Sequence, residues 1–359
     1  MSVVSRITLF LLASFLVAYN ANAWDRGKVE RFATLPPKAL NPEGIAIEPR
    51  SGDVYVTGFN PAGTGPAEIY VFDEDGRFQR TIPVTAATGN SSALLGLDFH
   101  PTTHRLLVID FGAGNVLDVN PHSGAATVFM PATAGDGLNA LTFDRAGNVY
   151  VSASFSGRVY RTGPAGGTPI VWAEDPTSPP PPAPPVPQTL KPNGFPPFGA
   201  NGLQFNRDES ALFVANTAND TIVKIPSKGR DAAGRPVAGT PEVFTNSING
   251  ADGLFLDEHD NIWVCANQSD EIVVVDTTGK AISKLGDFDG LKDGKPVGLL
   301  FPASLVRRGD WIYITNLSLN LKAVVGQQSI VSQYAADVKR HTIARIRARV
   351  LGFKHGDDD

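Results

Sequence analysis

The chain has 359 residues, a formal net charge of −5 and a hydrophobic fraction of 42%. A chain this long and this apolar can bury a sizeable core. Its abundant glycine (36) and proline (28), with only 19% charged residues, favour strands and turns over helical bundles. The basic residues Arg345, Arg347 and Arg349 alternate with apolar residues, as in a half-exposed strand, so nucleic-acid binding is not expected.

The N-terminus has the pattern of a secretory signal peptide over residues 1–23. Arg6 precedes an apolar run over Ile7–Tyr19, and Ala21-Asn-Ala23 forms a small-x-small cleavage site. The run is too short to span a bilayer. We therefore expect cleavage after Ala23, a secreted or periplasmic protein, and no stable membrane insertion. An uncleaved anchor is the alternative.

The reactive residue types give few signals of their own. The single cysteine, Cys265, ends the strand-like run Ile262–Cys265, which predicts a buried, inert thiol and no internal disulfide. His100, His104 and His259 fall in or beside turns, where surface roles are expected. The sequence has no Gly-x-Ser-x-Gly motif, phosphate loop or dinucleotide fingerprint.

Repeated pairs of apolar runs organise the chain. Each pair is a first run, a polar turn and a second run such as Val54–Thr57. The first runs begin at spacings of 44 to 62 residues, at Glu43, Leu95, Asn139, Asn201, Asp252 and Pro302. Hairpins in repeats of this length predict antiparallel sheets arranged around an axis.

We therefore predict an all-β fold, a six-bladed β-propeller with four antiparallel strands per blade, over residues 24–354. The N-terminal strand Lys28–Ala33 is predicted to join the last blade and to close the ring, which protects the sheet edges. An acidic tail, residues 355–359, follows the propeller.

The longest spacing contains a proline-rich loop insertion, residues 175–198. Its seven-residue run beginning at Pro179 cannot form a strand or a regular helix. Because the insertion leads into an innermost strand, we expect it on the face where the channel opens. An exposed linker-like loop and a semi-rigid wall or lid over the axis are both open interpretations.

Four oxygen donors begin innermost strands, where they precede apolar runs. The innermost strands of a propeller line its axis, so Glu43, Asn139, Asn201 and Asp252 are predicted to converge on one mouth of the channel. Carboxylate and amide oxygens are the donors that calcium prefers, and two carboxylates balance a divalent charge. No histidine occupies these positions, which argues against zinc or copper. Each residue alone also fits ordinary turn chemistry; the coincidence of four predicts one divalent cation, Ca²⁺.

The motifs around these residues resemble the gluconolactonase / regucalcin / luciferin-regenerating-enzyme family. The resemblance rests on Asn41-Pro-Glu-Gly-Ile-Ala, Gly199-Ala-Asn-Gly-Leu-Gln-Phe and Gly250-Ala-Asp-Gly-Leu-Phe-Leu-Asp. It implies a six-bladed propeller that hydrolyses lactones, with relatives such as paraoxonase and diisopropylfluorophosphatase that hydrolyse esters or organophosphates. It implies that Glu43, Asn201 and Asp252 bind the cation and that Asn139 completes the site or contacts substrate. Gly137 stands where gluconolactonase-type members carry an arginine.

The predicted chemistry is metal-assisted hydrolysis of a small lactone or ester. Asp252 is the expected catalytic base, acting directly or through water, and a nucleophilic role remains open. Aromatic residues near the strand ends are candidate pocket walls that would suit an apolar or aromatic ester, or else anchors for loops: Phe59, Phe111, Phe155, Phe198 and Phe301, with the neighbouring Asn60. A non-catalytic binding propeller with a structural calcium and a strictosidine-synthase-like chemistry are the alternatives.

Overall fold

The computed structural model describes residues 26–60, 67–86, 93–131, 133, 135–178 and 185–350. The predicted signal peptide, the acidic tail and residues 179–184 of the proline-rich insertion lie outside these ranges. Nearly all regular structure in the described part is β-strand. Among the described residues, no helix has the length and hydropathy needed to cross a bilayer.

The strands follow one another in short hairpins. The first nine are β1 (Glu30–Thr34), β2 (Asn41–Ile47), β3 (Val54–Phe59), β4 (Ala67–Phe72), β5 (Phe78–Ala86), β6 (Leu94–Phe99), β7 (Leu106–Asp110), β8 (Asn115–Val119) and β9 (Ala125–Met130). The next nine are β10 (Leu138–Phe143), β11 (Val149–Ala153), β12 (Arg158–Gly163), β13 (Gly166–Ala173), β14 (Ala200–Phe205), β15 (Ala211–Asn216), β16 (Thr221–Arg230), β17 (Pro236–Ala238) and β18 (Glu242–Thr245).

The remaining strands are β19 (Ala251–Leu256), β20 (Ile262–Ala266), β21 (Glu271–Val275), β22 (Ala281–Leu285), β23 (Phe288–Lys292), β24 (Lys295–Gly298), β25 (Pro302–Arg308), β26 (Trp311–Asn316) and β27 (Thr342–Arg347). Two short helices, α1 (Leu321–Val325) and α2 (Ser332–Ala335), lie between β26 and β27.

The strands form a propeller-like arrangement of antiparallel sheets. Three sheets have four strands each, in the orders β10-β11-β12-β13, β19-β20-β21-β22 and β1-β27-β26-β25. The third confirms that the N-terminal strand joins the last sheet, since Glu30 pairs with Arg345 and Thr34 with Thr342. The innermost strands β2, β6, β10, β14, β19 and β25 contact one another in that order, and β25 contacts β2.

Three sheets differ from the predicted four strands, and the smallest is the two-stranded hairpin of β23 and β24. The sheet of β14, β15, β16 and β17 gains a fifth strand because the long β16 pairs with β17 near one end and with β18 near the other. Strands β2 to β9 form one eight-stranded sheet. Two antiparallel four-strand units join there through a short parallel pairing of Thr85 and Ala86 with Ala125 and Ala126.

Apolar residues of neighbouring sheets pack against each other. One cluster joins Trp263 and Cys265 of β20 with Ile312 and Ile314 of β26. Cys265 is fully buried, as the sequence predicted, and burial raises the pKa of its thiol well above the ordinary value. His100 contradicts its expected surface role, because it is fully buried and its Nε2 lies 2.8 Å from the Gly147 carbonyl oxygen.

Small residues line the axis where the innermost strands meet. Six small residues border one central channel. Five of them directly follow the first residue of an innermost run: Gly44, Gly96, Ala140, Gly202 and Gly253. In the last repeat the channel residue is one position later, at Ser304. A Cβ on Gly202 would lie 2.6 Å from the carbonyl oxygen of Asp252. Side chains are therefore excluded at this position, and the close approach of β14 to β19 sets the position of Asp252.

Candidate metal and substrate site

The four predicted oxygen donors line one cavity at the mouth of the channel. Glu43 lies on β2, Asn139 on β10, Asn201 on β14 and Asp252 on β19, and each is about 5% exposed. The cavity is open to solvent, and the space within it and its mouth that no atom fills is about 440 Å³. The sequence thus placed these residues on one face correctly, because equivalent positions of the innermost strands meet at the axis.

Hydroxyl groups on neighbouring strands fix these positions. Four buried hydroxyls donate to a backbone carbonyl on the innermost strand of the next repeat: Thr57 to Leu95, Ser154 to Ala200, Thr217 to Ala251 and Thr315 to Glu43, all at 2.7 to 2.8 Å. Each bond crosses from one repeat to the next, and three of them end on the strands that carry Glu43, Asn201 and Asp252. These three hydroxyls therefore hold those strands in register around the mouth.

The same hydroxyls orient the two asparagine side chains. Asn139 Nδ2 donates to Ser154 Oγ at 3.1 Å, and Asn201 Nδ2 donates to Thr217 Oγ1 at 3.0 Å. Because each hydroxyl has already used its single proton on a carbonyl, it can only accept from the amide. The amide oxygens of Asn139 and Asn201 are therefore left for a ligand in the cavity.

The two carboxylates each keep one oxygen without a protein partner. Glu43 Oε2 and Asp252 Oδ1 are buried and accept no hydrogen bond from the described part of the chain. The other oxygen of Asp252, Oδ2, accepts from Asn267 Nδ2 at 2.8 Å. Buried carboxylate oxygens without partners are costly, and a cation bound between them would satisfy both.

The electrostatics of the pair agree with this geometry. Burial, and then the negative charge of Asp252, hold the pKa of Glu43 well above its ordinary value. Burial raises the pKa of Asp252 to about 7, although hydrogen bonds from Asn267, Asn201 and the Gly253 backbone oppose the rise. The protein thus brings two carboxylates together with no basic side chain among the described lining residues.

The donor set fits a hard cation. It consists of two carboxylates and two amides. Among the described residues, no site made only of three or more His, Cys, Asp or Glu side chains is present, so amide oxygens are needed to complete this one. Calcium accepts mixed carboxylate and amide oxygens and completes its shell with water. The residues predicted from the sequence are therefore chemically suited to Ca²⁺.

Two further polar residues of the cavity were not assigned from the sequence. Asn267 and Thr217 follow β20 and β15, and both line the cavity. Their position in the sequence could have identified them, because each directly follows the second strand of a repeat. That strand ends at the same mouth of the channel where the innermost strand begins. Asn267 orients Asp252, while Thr217 orients Asn201.

The wall of the cavity is mainly apolar. Phe59 and Phe301 contribute to it as predicted, together with Leu95, Phe111, Pro196, Phe198, Leu317 and Leu319. Phe301 has a left-handed backbone (φ 50°), and its N–H donates to Asp270 Oδ1 at 2.7 Å. The sequence could not show that a buried aspartate positions this ring.

Phe155 is not among the cavity-lining residues, in contrast to its predicted substrate contact. It is 45% exposed, with its ring 5.9 Å from Phe198 and 5.8 Å from Phe111. It therefore supports two wall residues from the outside. The nearby Asn60 also falls outside the lining.

Comparisons with solved structures show the fold of the chain. A luciferin-regenerating enzyme matches with a TM-score of 0.59 at 14% identity, covering 89% of this chain and 95% of that one. A gluconolactonase from Xanthomonas campestris matches with a TM-score of 0.57 at 15% identity, covering 88% of each chain. A calcium-binding regucalcin from Agrobacterium tumefaciens matches with a TM-score of 0.56 at 15% identity, covering 88% of this chain and 95% of that one.

Sequence comparisons add the family. No curated protein sequence matches the chain. A family model does match, described as the SMP-30/Gluconolactonase/LRE-like region, over residues 196–286. That segment contains Asn201 and Asp252 with the strands that hold them. Residues 196–286 are thus similar to the SMP-30/Gluconolactonase/LRE-like region, in agreement with the resemblance of the sequence motifs.

Proposed function

We propose that this protein is a calcium-dependent hydrolase of lactones or related esters. The observation that carries the proposal is a pair of buried carboxylate oxygens, Glu43 Oε2 and Asp252 Oδ1, that have no partner among the described residues and lie in a mainly apolar cavity. The solved neighbours that are a gluconolactonase and a calcium-binding regucalcin support the same interpretation. We also propose that the protein is exported to the periplasm or the extracellular medium. We propose that the propeller has six blades, two of which are the halves of the eight-stranded sheet.

Glu43, Asn139, Asn201 and Asp252 would hold the cation through their oxygens. A bound divalent cation supplies polarisation of an ester carbonyl and stabilisation of the negative charge that develops on it. The surrounding side chains are mainly apolar, so a substrate carbonyl that enters the cavity meets few competing hydrogen-bond donors.

Asp252 is our choice for the residue that takes a proton from the attacking water. Asn267 holds Oδ2, so Oδ1 is the oxygen that faces the cavity. A carboxylate in this position can accept the proton directly or through a second water. Among the described residues, no polar side chain holds the Glu43 carboxylate in a comparable way, and we assign Glu43 to cation binding alone.

The test is hydrolysis of a panel of lactones, aryl esters and phosphotriesters, with calcium and with a chelator. We expect turnover that chelation abolishes and that Asp252→Asn lowers by at least 100-fold with the fold retained. Asp289→Asn, on the exposed hairpin β23–β24, is the matched control and should retain full activity.

Two results would contradict the proposal. Absence of turnover across the panel, with calcium still raising the melting temperature, would indicate a non-catalytic binding propeller with a structural ion. Turnover that persists in chelator would indicate a metal-independent chemistry on the same scaffold.

A further inference from the structure

The second half of the proline-rich insertion is a fixed wall of the cavity. The carboxylate of Asp175 accepts hydrogen bonds from the backbone N–H groups of Thr189, Leu190 and Lys191 at 2.8 to 3.1 Å. Its Oδ1 also accepts from the Thr189 hydroxyl at 2.8 Å. One buried side chain thus closes the described segment, residues 185–199, onto the end of β13.

Further hydrogen bonds hold residues 185–199 on their other side. Asn216 Nδ2 donates to the carbonyl of Thr189 at 2.7 Å, the Gly199 N–H donates to Ser154 at 2.8 Å, and the Ala218 N–H donates to Phe198 at 2.8 Å. These bonds tie the segment to the strand ends of two different sheets. Phe198 is therefore placed before any ligand arrives.

Phe198 completes a continuous aromatic surface. Its ring stacks on Phe155 with centroids 5.9 Å apart, Phe155 meets Phe111 at 5.8 Å, and Phe111 meets Phe59 at 5.8 Å. Three of these rings line the cavity, and Phe155 braces two of them from outside. Such ring pairs prefer offset or edge contacts, so a further ring can join the array.

The side-chain amides and the hydroxyl of the cavity each already donate to another protein group. Asn139, Asn201 and Asn267 direct their amide nitrogens at Ser154, Thr217 and Asp252, and the proton of Thr217 goes to Ala251. The described lining residues include no Lys, Arg, His, Ser or Tyr. The proposed cation would engage the carboxylate and amide oxygens of the cavity, and few hydrogen-bond donors remain for the hydroxyl oxygens of a sugar lactone. Its hydroxyls would therefore lose hydration and gain few partners.

We infer that the site takes uncharged lactones or esters with an apolar, aromatic substituent, and that Phe198, carried by the insertion, determines this preference. The inference rests on the proposed hydrolase function and names the substrate class within it. With the cation bound, the carboxylates of Glu43 and Asp252 balance its charge, and no basic side chain among the described lining residues remains to attract an anionic substrate. The fixed aromatic surface offers contact area without an ordering cost.

The test compares three six-membered lactones that differ at the ring substituents. They are δ-valerolactone, its derivative with a phenyl group beside the ring oxygen, and glucono-δ-lactone. We expect the phenyl derivative to have at least a tenfold higher kcat/KM than δ-valerolactone, and glucono-δ-lactone a lower one. Phe198→Ser should reduce the phenyl preference to about twofold, mainly through KM, and Phe198→Leu should keep part of it.

Controls separate this inference from the hydrolase proposal. Phe78→Ser removes a 43% exposed ring on the outer strand β5 and should leave the preference unchanged. Asp175→Ala, which loosens the wall without touching the cavity, should raise KM for the phenyl derivative and leave calcium binding intact. 2-Phenyltetrahydropyran, which cannot be hydrolysed, should bind at least tenfold more tightly than tetrahydropyran in calorimetry, and Phe198→Ser should remove the difference.

If glucono-δ-lactone is hydrolysed as well as the phenyl derivative or better, and Phe198→Ser has no effect, the proposed substrate class is wrong. The proposal that the protein is a hydrolase would remain supported. Absence of hydrolysis for all three lactones would count against the hydrolase. The two ethers would then decide the inference, since equal binding of both would refute an aromatic subsite.

Discussion

Asn267 donates its side-chain amide to Oδ2 of Asp252 at 2.8 Å, and this bond decides which oxygen of Asp252 faces the cavity. Asp252 lies on β19 and Asn267 directly follows β20, the strand that pairs with β19, so the contact is made within a single hairpin. Asn267 in turn accepts from the side chain of Gln268 at 2.8 Å. The orientation of the proposed base is thus set by a residue that need not touch the substrate.

Replacement of Asn267 tests this relationship. We expect Asn267→Ala to weaken calcium binding by about 10- to 100-fold, because partners of metal ligands commonly contribute that much to affinity. Isothermal titration with calcium measures it. Asn249→Ala, in the same loop region but exposed and bonded only to Gln268 and Ser269, should change the affinity less than twofold. Equal losses in both variants would show a general loop effect.

Removal of the Glu43 charge should stabilise the ion-free protein. Because burial raises the pKa of Glu43, its ionisation costs stability as the pH rises. In chelator at pH 8, Glu43→Gln should therefore melt at a higher temperature than the parent. Calcium at 100 times its Kd should stabilise the parent by about 2.7 kcal/mol and the variant much less. Glu74→Gln, an exposed partner of Arg308, is the control that should keep the full calcium shift.

His341 should make stability fall in mild acid. Burial lowers the pKa of His341 to about 4, and its Nδ1 has no partner. The unfolded chain takes up this proton near pH 6.5 and the folded chain only near pH 4, so stability is lost as the pH falls between those values. The loss amounts to about 3 kcal/mol.

Denaturant unfolding of His341→Phe from pH 8 to pH 4 measures this contribution. The variant should lose about 3 kcal/mol less than the parent over that range. His122→Phe, at an exposed position, should follow the parent curve. If the two variants have the same pH dependence, the acid sensitivity has another source.

Gly202 should not tolerate a side chain. A Cβ there would lie 2.6 Å from the carbonyl oxygen of Asp252 and 2.7 Å from the backbone N of Leu254, which cannot move aside without displacing β19. We expect Gly202→Ala to cost about 2 kcal/mol of unfolding free energy and to weaken calcium binding. Gly163→Ala, where a Cβ meets nothing within 4 Å, should be nearly neutral. Urea unfolding and calcium titration measure both effects.

The sequence by itself determined the strands and the four oxygen donors at Glu43, Asn139, Asn201 and Asp252. Both follow from periodicity: repeated hairpins bring equivalent positions to one end of the axis, and a polar residue before an apolar run stands out. The pairing of β1 with β27 was predictable on the same ground, since an unpaired strand remained at each end of the chain.

The tertiary structure alone decided how these residues are oriented and enclosed. Only packing brings Asn267 to Asp252, places Phe198 on Phe155, and leaves Phe155 outside the wall. It also buries His100, which sequence position assigned to the surface. Strand periodicity fixes which face a side chain occupies, whereas contacts between distant loops and the direction of an amide depend on how neighbouring sheets pack.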